Sequence, residues 1–334
     1  MSQRRNMWWL APALAIGILA LGPAAVAAKG VKLTVGYSAI SGSNVMIWAA
    51  QDAGLFEKYG LDVTLIYISS GPKAVAAILA GETPVAIASG EALVRARLSG
   101  ADLVAFAEQT GTFVFSLITL PSVKRPEDLK GKALGVTRFG ASTHRGLLEA
   151  LKHFGLVASR DVTVLQVGGV PEILASMETG RIAGGVLSPP TSIIAKQKGY
   201  YELLDIGSLD IPFQQAALVA REAYIRERPD VIRAVTKAVV EAIHRIKSDK
   251  ALAKRILAKY TKVQDDAVLE ETYRLFVTNH MKPIPYPAEA GIKTVLDDAA
   301  ESNPKARSVN PKEFVDLRWL RELEESGFAR QLGK

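Results

Sequence analysis

Between Lys32 and Asp205, short β-branched runs alternate with longer segments of helical pattern, and the rhythm is stated twice. Lys32–Tyr37, Asp62–Tyr67, Val85–Ala88 and Leu103–Gln109 read as strands, separated by helices over Asn44–Tyr59, Pro72–Ala80 and Glu91–Ser99. A short helix at Pro126–Leu129 opens the second pass. Its strands are Lys132–Val136, Val162–Val167, Gly184–Leu187 and Glu202–Asp205, with helices at Ser142–His153, Pro171–Thr179 and Thr191–Lys198 between them. Parallel neighbours need a connection long enough to carry the chain back, and a helix is the usual one. The order therefore predicts an α/β protein with two mainly parallel sheets flanked by helices.

From Glu222 the chain is nearly all helix, a helical C-terminal extension. Pro229 sits where a helix starts, and Val231, Ile232, Val235, Val239, Ala242, Ile243 and Ile246 make one apolar stripe. Ser248-Asp249 caps a helix over Lys250–Tyr260. Asp265–His280 follows, and then a turn rich in proline at Pro283, Pro285 and Pro287. No motif recurs at a fixed period, which excludes solenoids and propellers. Extended stretches near Thr112–Thr119 and Ile211–Leu218 are where two lobes would exchange chain. The simplest layout has residues 31–115 plus 215–334 as one lobe and 116–214 as an inserted second lobe, with a cleft between them.

The first 28 residues have a different character. Arg4 and Arg5 precede an almost unbroken apolar run over Met7–Leu21, and Gly22-Pro23 then leads to Ala24-Ala25-Val26-Ala27-Ala28. A basic start, an apolar core and small residues at the end form a secretory signal peptide, with cleavage expected after Ala27 or Ala28. Retention as an anchor is the alternative, since Met7–Ala28 approaches the length that spans a bilayer. With no cysteine in the chain there is no lipid attachment site, disulfide, thiolate metal site or thiol nucleophile. An exported protein free in a periplasm, and not a lipoprotein, is the expectation. The formal charge of +7 falls to +5 without Arg4 and Arg5. With no dense Lys/Arg tract, that mild excess reads as a solvated surface and no nucleic-acid partner is expected.

Ligands of open α/β sheets bind beyond the C-terminal strand ends. The segments there are Ser38–Asn44, Ser69–Pro72, Ser89-Gly90, Thr110–Thr112, Arg138–His144, Gly168-Gly169 and Ser188–Thr191. Nearly all combine Gly with Ser or Thr just before a helix. Helix N-termini carry unpaired N–H groups and a partial positive charge, and glycine admits a ligand close to the backbone. Such ends converging on a cleft would hold a small oxyanion. Each loop alone reads equally well as ordinary helix capping, for which Ser, Thr and Asn are preferred everywhere. Arg138 could fork onto an oxyanion or simply face solvent. His144 stands in a first helical turn, where the dipole disfavours protonation. Tyr37 and Trp48 could form an aromatic wall, although Trp48 also fits a core position.

Enzyme motifs are missing. There is no GxSxG, HExxH or P-loop, and Gly168-Gly169 lacks the spacing of a dinucleotide fingerprint. Asp265-Asp266 and Asp297-Asp298 are paired acids on helical segments, expected on a solvated face. Four scattered His supply no nucleophile–base pair, and no cofactor is indicated.

Gly54-Leu55-Phe56-Glu57-Lys58-Tyr59-Gly60-Leu61-Asp62-Val63 resembles a segment of the nitrate/sulfonate/taurine type of periplasmic substrate-binding protein, a family that includes binders of thiamine-pyrimidine precursors. Ser70-Gly71 with Ala80-Gly81-Glu82, and Pro126–Lys132 with Gly135-Val136 and Gly140–Thr143, are similar to its next landmarks. The likeness runs over roughly residues 31–250. It implies a two-lobed type II periplasmic-binding fold that closes on a small molecule and delivers it to the permease of an ABC importer in the inner membrane, working as a monomer and without catalysis. By position it places ligand contacts on Ser41, Ser43, Asn44, Ser70, Gly71, Ser89, Ser142, Thr143, Ser188 and Thr191. Family members often carry an acid in the last loop, where this chain has Ser188-Pro189-Pro190-Thr191. That departure weakens an amine ligand and favours an anionic or neutral one. The likeness leaves open a sensor ectodomain, and an enzyme on the same fold related to pyrimidine synthesis, which would need a reactive His and a Lys for a Schiff base.

Overall fold

The computed structural model describes residues 30–332. The expected signal peptide lies outside the described residues. Ten strands form two five-stranded sheets. The first contains β1 (Val31–Tyr37), β2 (Leu61–Tyr67), β3 (Val85–Ala88), β4 (Leu103–Thr112) and β10 (Pro212–Arg221) in the order β2-β1-β3-β10-β4. The second contains β5 (Ser116–Thr119), β6 (Ala133–Val136), β7 (Thr163–Gln166), β8 (Gly184–Leu187) and β9 (Tyr201–Asp205) in the order β7-β6-β8-β5-β9.

Both sheets follow one plan. β1 pairs in parallel with β2 and β3, and β6 does the same with β7 and β8. In each sheet a single strand runs against the others: β10 in the first, antiparallel to β3 and β4, and β5 in the second, antiparallel to β8 and β9. These reversed strands are the ones the chain enters after crossing from the other sheet. A βαβ unit returns a strand in the same direction, whereas a direct crossing arrives reversed.

Packing on both faces of the first sheet explains its apolar strands. Val85 and Ile87 of β3 join one core and Ala86 and Ala88 the other, as the two-residue side-chain period requires. Helix Pro229–Ser248 seats its predicted stripe in the first core, with Val231, Ile232, Val235, Val239, Ala242, Ile243 and Ile246 all buried. Each of its valines and isoleucines is worth about 1.5–3 kcal/mol in area removed from water. The second core continues through the crossing, where Phe113 stacks on Phe213 with ring centroids 4.1 Å apart. The edge of β4 is covered by the C-terminal segment, where Asp316 N–H donates to the Ala105 carbonyl at 2.8 Å.

Three expectations need correction. Asn44–Tyr59 is not one helix: a 3-10 turn Gly42–Asn44 leads into helix Val45–Asp52, and a second helix Leu55–Lys58 starts after Gly54. Gly54 has φ of 65°, a left-handed conformation in which glycine pays no Cβ penalty. Asp265–His280 is helical only to Tyr273 and then widens into a π-helical turn, Arg274–Thr278. Asp298 does not sit on a solvated face but pairs with Arg145 of helix Ser142–His153, which also pairs with Glu149. Its helix, Glu289–Ser302, packs on β10 and turns Asp298 toward the second sheet's helix.

Gly291 is what lets Glu289–Ser302 lie so close to β10. A Cβ there would stand 2.3 Å from the Gln214 nitrogen and 2.5 Å from the Phe213 carbonyl carbon. In Gly291→Ala the intrinsic helix gain of at most about 1 kcal/mol is expected to lose to overpacking worth about 1–3 kcal/mol. The urea midpoint should fall. A midpoint above wild type would contradict this seating of the helix.

Candidate functional site

The two sheets meet at a seam where loops from both touch directly. Gly42 N–H donates to the Pro189 carbonyl at 3.0 Å, Ser41 Oγ donates to the same carbonyl at 3.2 Å, and Ser188 Oγ donates to Ser41 Oγ at 3.0 Å. From helix Ser142–His153, Ser142 Oγ donates to the Gln215 carbonyl on β10 at 2.6 Å. These contacts border a partly open cavity of about 50 Å³.

Of the residues singled out in the sequence, Ser41, Ser43, Ser70, Gly71, Ser89, Ser142, Thr143 and Ser188 line this cavity. The local reasons are simple. Ser41 caps the Gly42–Asn44 turn, and Ser89 caps helix Gly90–Leu98 by accepting from Ala92 N–H at 3.2 Å. Ser70 precedes helix Gly71–Leu79, and among the described residues its buried hydroxyl has no partner. Gly71 is required by close approach, since a Cβ would lie 2.3 Å from Ser89 Oγ. Thr143 Oγ1 accepts from Thr137 N–H at 3.1 Å, tying its helix back to the end of β6.

Asn44, Arg138 and Thr191 do not line the cavity. Asn44 stands one layer behind, donating to the Ala39 carbonyl at 2.7 Å and accepting from Gln109 Nε2 at 2.6 Å. Arg138 is half-buried in the turn before Ser142–His153, and Thr191 is buried at the start of helix Thr191–Gln197. No aromatic wall forms from Tyr37 or Trp48. Trp48 is wholly buried and stacked on Tyr260 with centroids 4.7 Å apart, and Tyr37 meets its edge. The aromatic ring at the cavity is Phe115.

Gln109, Gln215 and Thr137 also line the cavity and were not singled out in the sequence; Ser38, of the Ser38–Asn44 segment, lines it too. Gln109 and Gln215 lie on β4 and β10, the strands flanking the crossing, rather than in loops after parallel strands. Their signal was a carboxamide inside an apolar strand run, a polar group that must find partners when buried.

The chemistry of the lining is uniform. N-terminal residues of helices Gly71–Leu79, Gly90–Leu98, Ser142–His153 and Val170–Glu178 face it, with hydroxyls and carboxamides, and no charged side chain among them. Backbone N–H groups, helix dipoles and rotatable hydroxyls can hold an oxyanion without a counter-ion. A larger groove of about 600 Å³ lies beside Arg97 and Arg318, but those charges are matched by Glu222 at 2.6 Å and Asp316 at 2.6 Å. Among the described residues no cluster of His, Asp and Glu is placed to hold a metal ion.

A model of the family described as NMT1/THI5 like matches residues 43–251. The taurine-binding periplasmic protein of Escherichia coli is 27% identical over 231 residues, covering 67% of this chain and 69% of the relative. The structure of the alkanesulfonate-binding protein from Xanthomonas axonopodis pv. citri, bound to MOPS, superposes with a TM-score of 0.72 at 20% identity, covering 87% of this chain and 99% of that one. The periplasmic nitrate-binding protein of Synechocystis PCC 6803 gives a TM-score of 0.72 at 15% identity, covering 89% of both chains.

His144, beside the site, accepts Gly140 N–H on Nδ1 at 3.3 Å, and burial with Arg95 and Arg145 nearby holds its pKa below the ordinary value. The unfolded chain then binds more protons as pH falls through about 6.5, so this contribution to stability is lost from there downward. Burial also lowers His244 and His280. The urea midpoint is expected to drop between pH 7.5 and 5.5, and His144→Gln to flatten part of that drop. Equal slopes in the two proteins would contradict this placement of His144.

Proposed function

The chain belongs to the NMT1/THI5-like family, and from that membership we propose that it is the periplasmic solute-binding component of an ABC importer. It takes a small oxyanion and performs no chemistry on it. The observation that carries the reading is the convergence of helix N-termini and hydroxyls on a cavity bordered by contacts between two sheets. Uptake of such a ligand replaces its hydration shell with fixed donors.

Because β10 (Pro212–Arg221) belongs whole to the first sheet, the second body ends before it: residues 31–115 with 212–334, and residues 116–211, are proposed to move as two bodies about the crossings. The unliganded cleft opens, the ligand enters, and closure presents both bodies to the permease. A ligand biases closure only through contacts that the closed form alone provides. After removal of the N-terminal segment the protein acts in the periplasm as a monomer. Among the described residues no helix is long and apolar enough to cross a membrane.

The relatives' ligands supply candidates: nitrate and simple alkanesulfonates, with carboxylates as a further class. Taurine adds an ammonium group, for which the cavity lining offers no carboxylate. An oxyanion without an amine is therefore the proposed ligand class.

The test is a thermal-shift and calorimetric series with nitrate, ethanesulfonate, acetate and taurine on the exported protein. At 100 times its dissociation constant a ligand of the folded state adds about 2.7 kcal/mol, so one of the amine-free oxyanions should raise Tm by several degrees. Ser70→Ala removes a buried hydroxyl without a partner and should weaken that ligand about 10- to 100-fold, the worth of a hydrogen bond to a charged group. If none of the four shifts Tm, the oxyanion reading fails.

A further inference from the structure

β10 carries two adjacent carboxamides, Gln214 and Gln215, inside a strand otherwise rich in Ala, Leu and Val. Adjacent strand residues point to opposite faces, and these two have different tasks. Gln214 is a structural bracket: Nε2 donates to the carbonyls of Thr110 at 3.3 Å and Ala216 at 2.9 Å, while Oε1 accepts from Ala288 N–H at 2.6 Å. Gln215 instead meets three separate parts of the molecule. Its Oε1 accepts from Val114 N–H at 2.7 Å, in the chain crossing between β4 and β5. Its backbone carbonyl accepts from Ser142 Oγ of the opposing helix at 2.6 Å. Its side chain lines the cavity.

A backbone N–H can be met only by the oxygen of a carboxamide, so the bond from Val114 fixes which way the Gln215 amide points. The NH2 group is left for the cavity, and among the described residues no hydrogen bond engages it.

We infer that Gln215 couples ligand occupancy to the chain crossing: its NH2 donates to an oxygen of the bound ligand while its carbonyl oxygen holds Val114. This rests on the oxyanion reading above. A carboxamide that donates on one side becomes a better acceptor on the other, so the ligand bond and the crossing bond strengthen each other. Opening the cleft also breaks the bond from Ser142 to the Gln215 carbonyl. One residue thus senses the ligand, the opposing helix and the crossing together.

Two variants separate the tasks. Gln215→Glu keeps an acceptor for Val114 N–H and replaces the NH2 with a second oxygen. Gln215→Met keeps the length and removes both functions. The probe is whichever of nitrate, ethanesulfonate or acetate binds the wild type, read by calorimetry and small-angle scattering. Gln215→Glu is expected to bind at least 30-fold more weakly, with its ligand-free scattering curve unchanged. Gln215→Met should bind about tenfold more weakly and show a smaller ligand-induced fall in radius of gyration. Wild-type-like binding within twofold by both variants would overturn the coupling and leave the oxyanion reading standing. A wild type that binds none of the probes would end that reading and this inference with it. Should Gln215→Glu not fold, the affinity and scattering of Gln215→Met decide alone.

Discussion

The chain crosses between its two sheets at Phe113–Phe115 and again on entering β10, and each crossing delivers a strand that the receiving sheet cannot do without. β10 lies between β3 and β4, and β5 between β8 and β9. Removing either delivered strand would leave the sheet that receives it split, with unpaired edges in its middle. The stacked Phe113 and Phe213 carry one apolar core through this region, and Val114 N–H is held by a side chain rather than by a ladder partner. The joint is thus packed, with fewer backbone bonds than a strand: the Phe115 carbonyl accepts from Ile206 N–H at 2.9 Å. A bend there costs fewer backbone bonds than a bend inside either sheet. That asymmetry is what the proposed two-body closure rests on.

Electrostatics at the seam follow from the same topology. Parallel strands end together, and the helices after them begin together, so their N-termini gather where the sheets face each other. Partial charges on N–H groups are fixed by the fold and need no long side chain to be ordered on binding. A lining of Ser, Thr and Gln adds donors that rotate, and the absence of a carboxylate there avoids repelling an anion. Charged groups stand farther out. Arg145 bridges Glu149, on the helix that begins at Ser142, and Asp298, where they fix the helix and do not line the cavity.

Much of this was legible in the residues. Alternating β-branched and helical runs give both sheets, and the stripe from Val231 to Ile246 gives the long helix its buried face. Ser41, Ser70, Ser89 and Ser142 stand in Gly/Ser turns ahead of helices, whose composition is recognisable, and Ser188 was indicated by its position in the family resemblance. What escaped depends on partners distant in the chain. The break at Gly54 turns on a backbone angle that composition does not display. Gln109 and Gln215 stand on strands whose polar residues could equally have faced solvent, until the sheet order buries them beside the cavity. Arg138 has the right neighbours in sequence, yet its side chain does not reach the lining. Asp298 acquires its partner only when Glu289–Ser302 is laid across β10 beside the second sheet.

Closure of two bodies around the ligand is the central claim, and an interspin distance measures it most directly. With no cysteine in the chain, Lys73→Cys and Lys152→Cys would carry spin labels at those two exposed positions alone, one on each body. Adding the oxyanion that binds should move the distance distribution to shorter separations and narrow it. An identical distribution with and without bound ligand would contradict closure and leave a rigid site in its place.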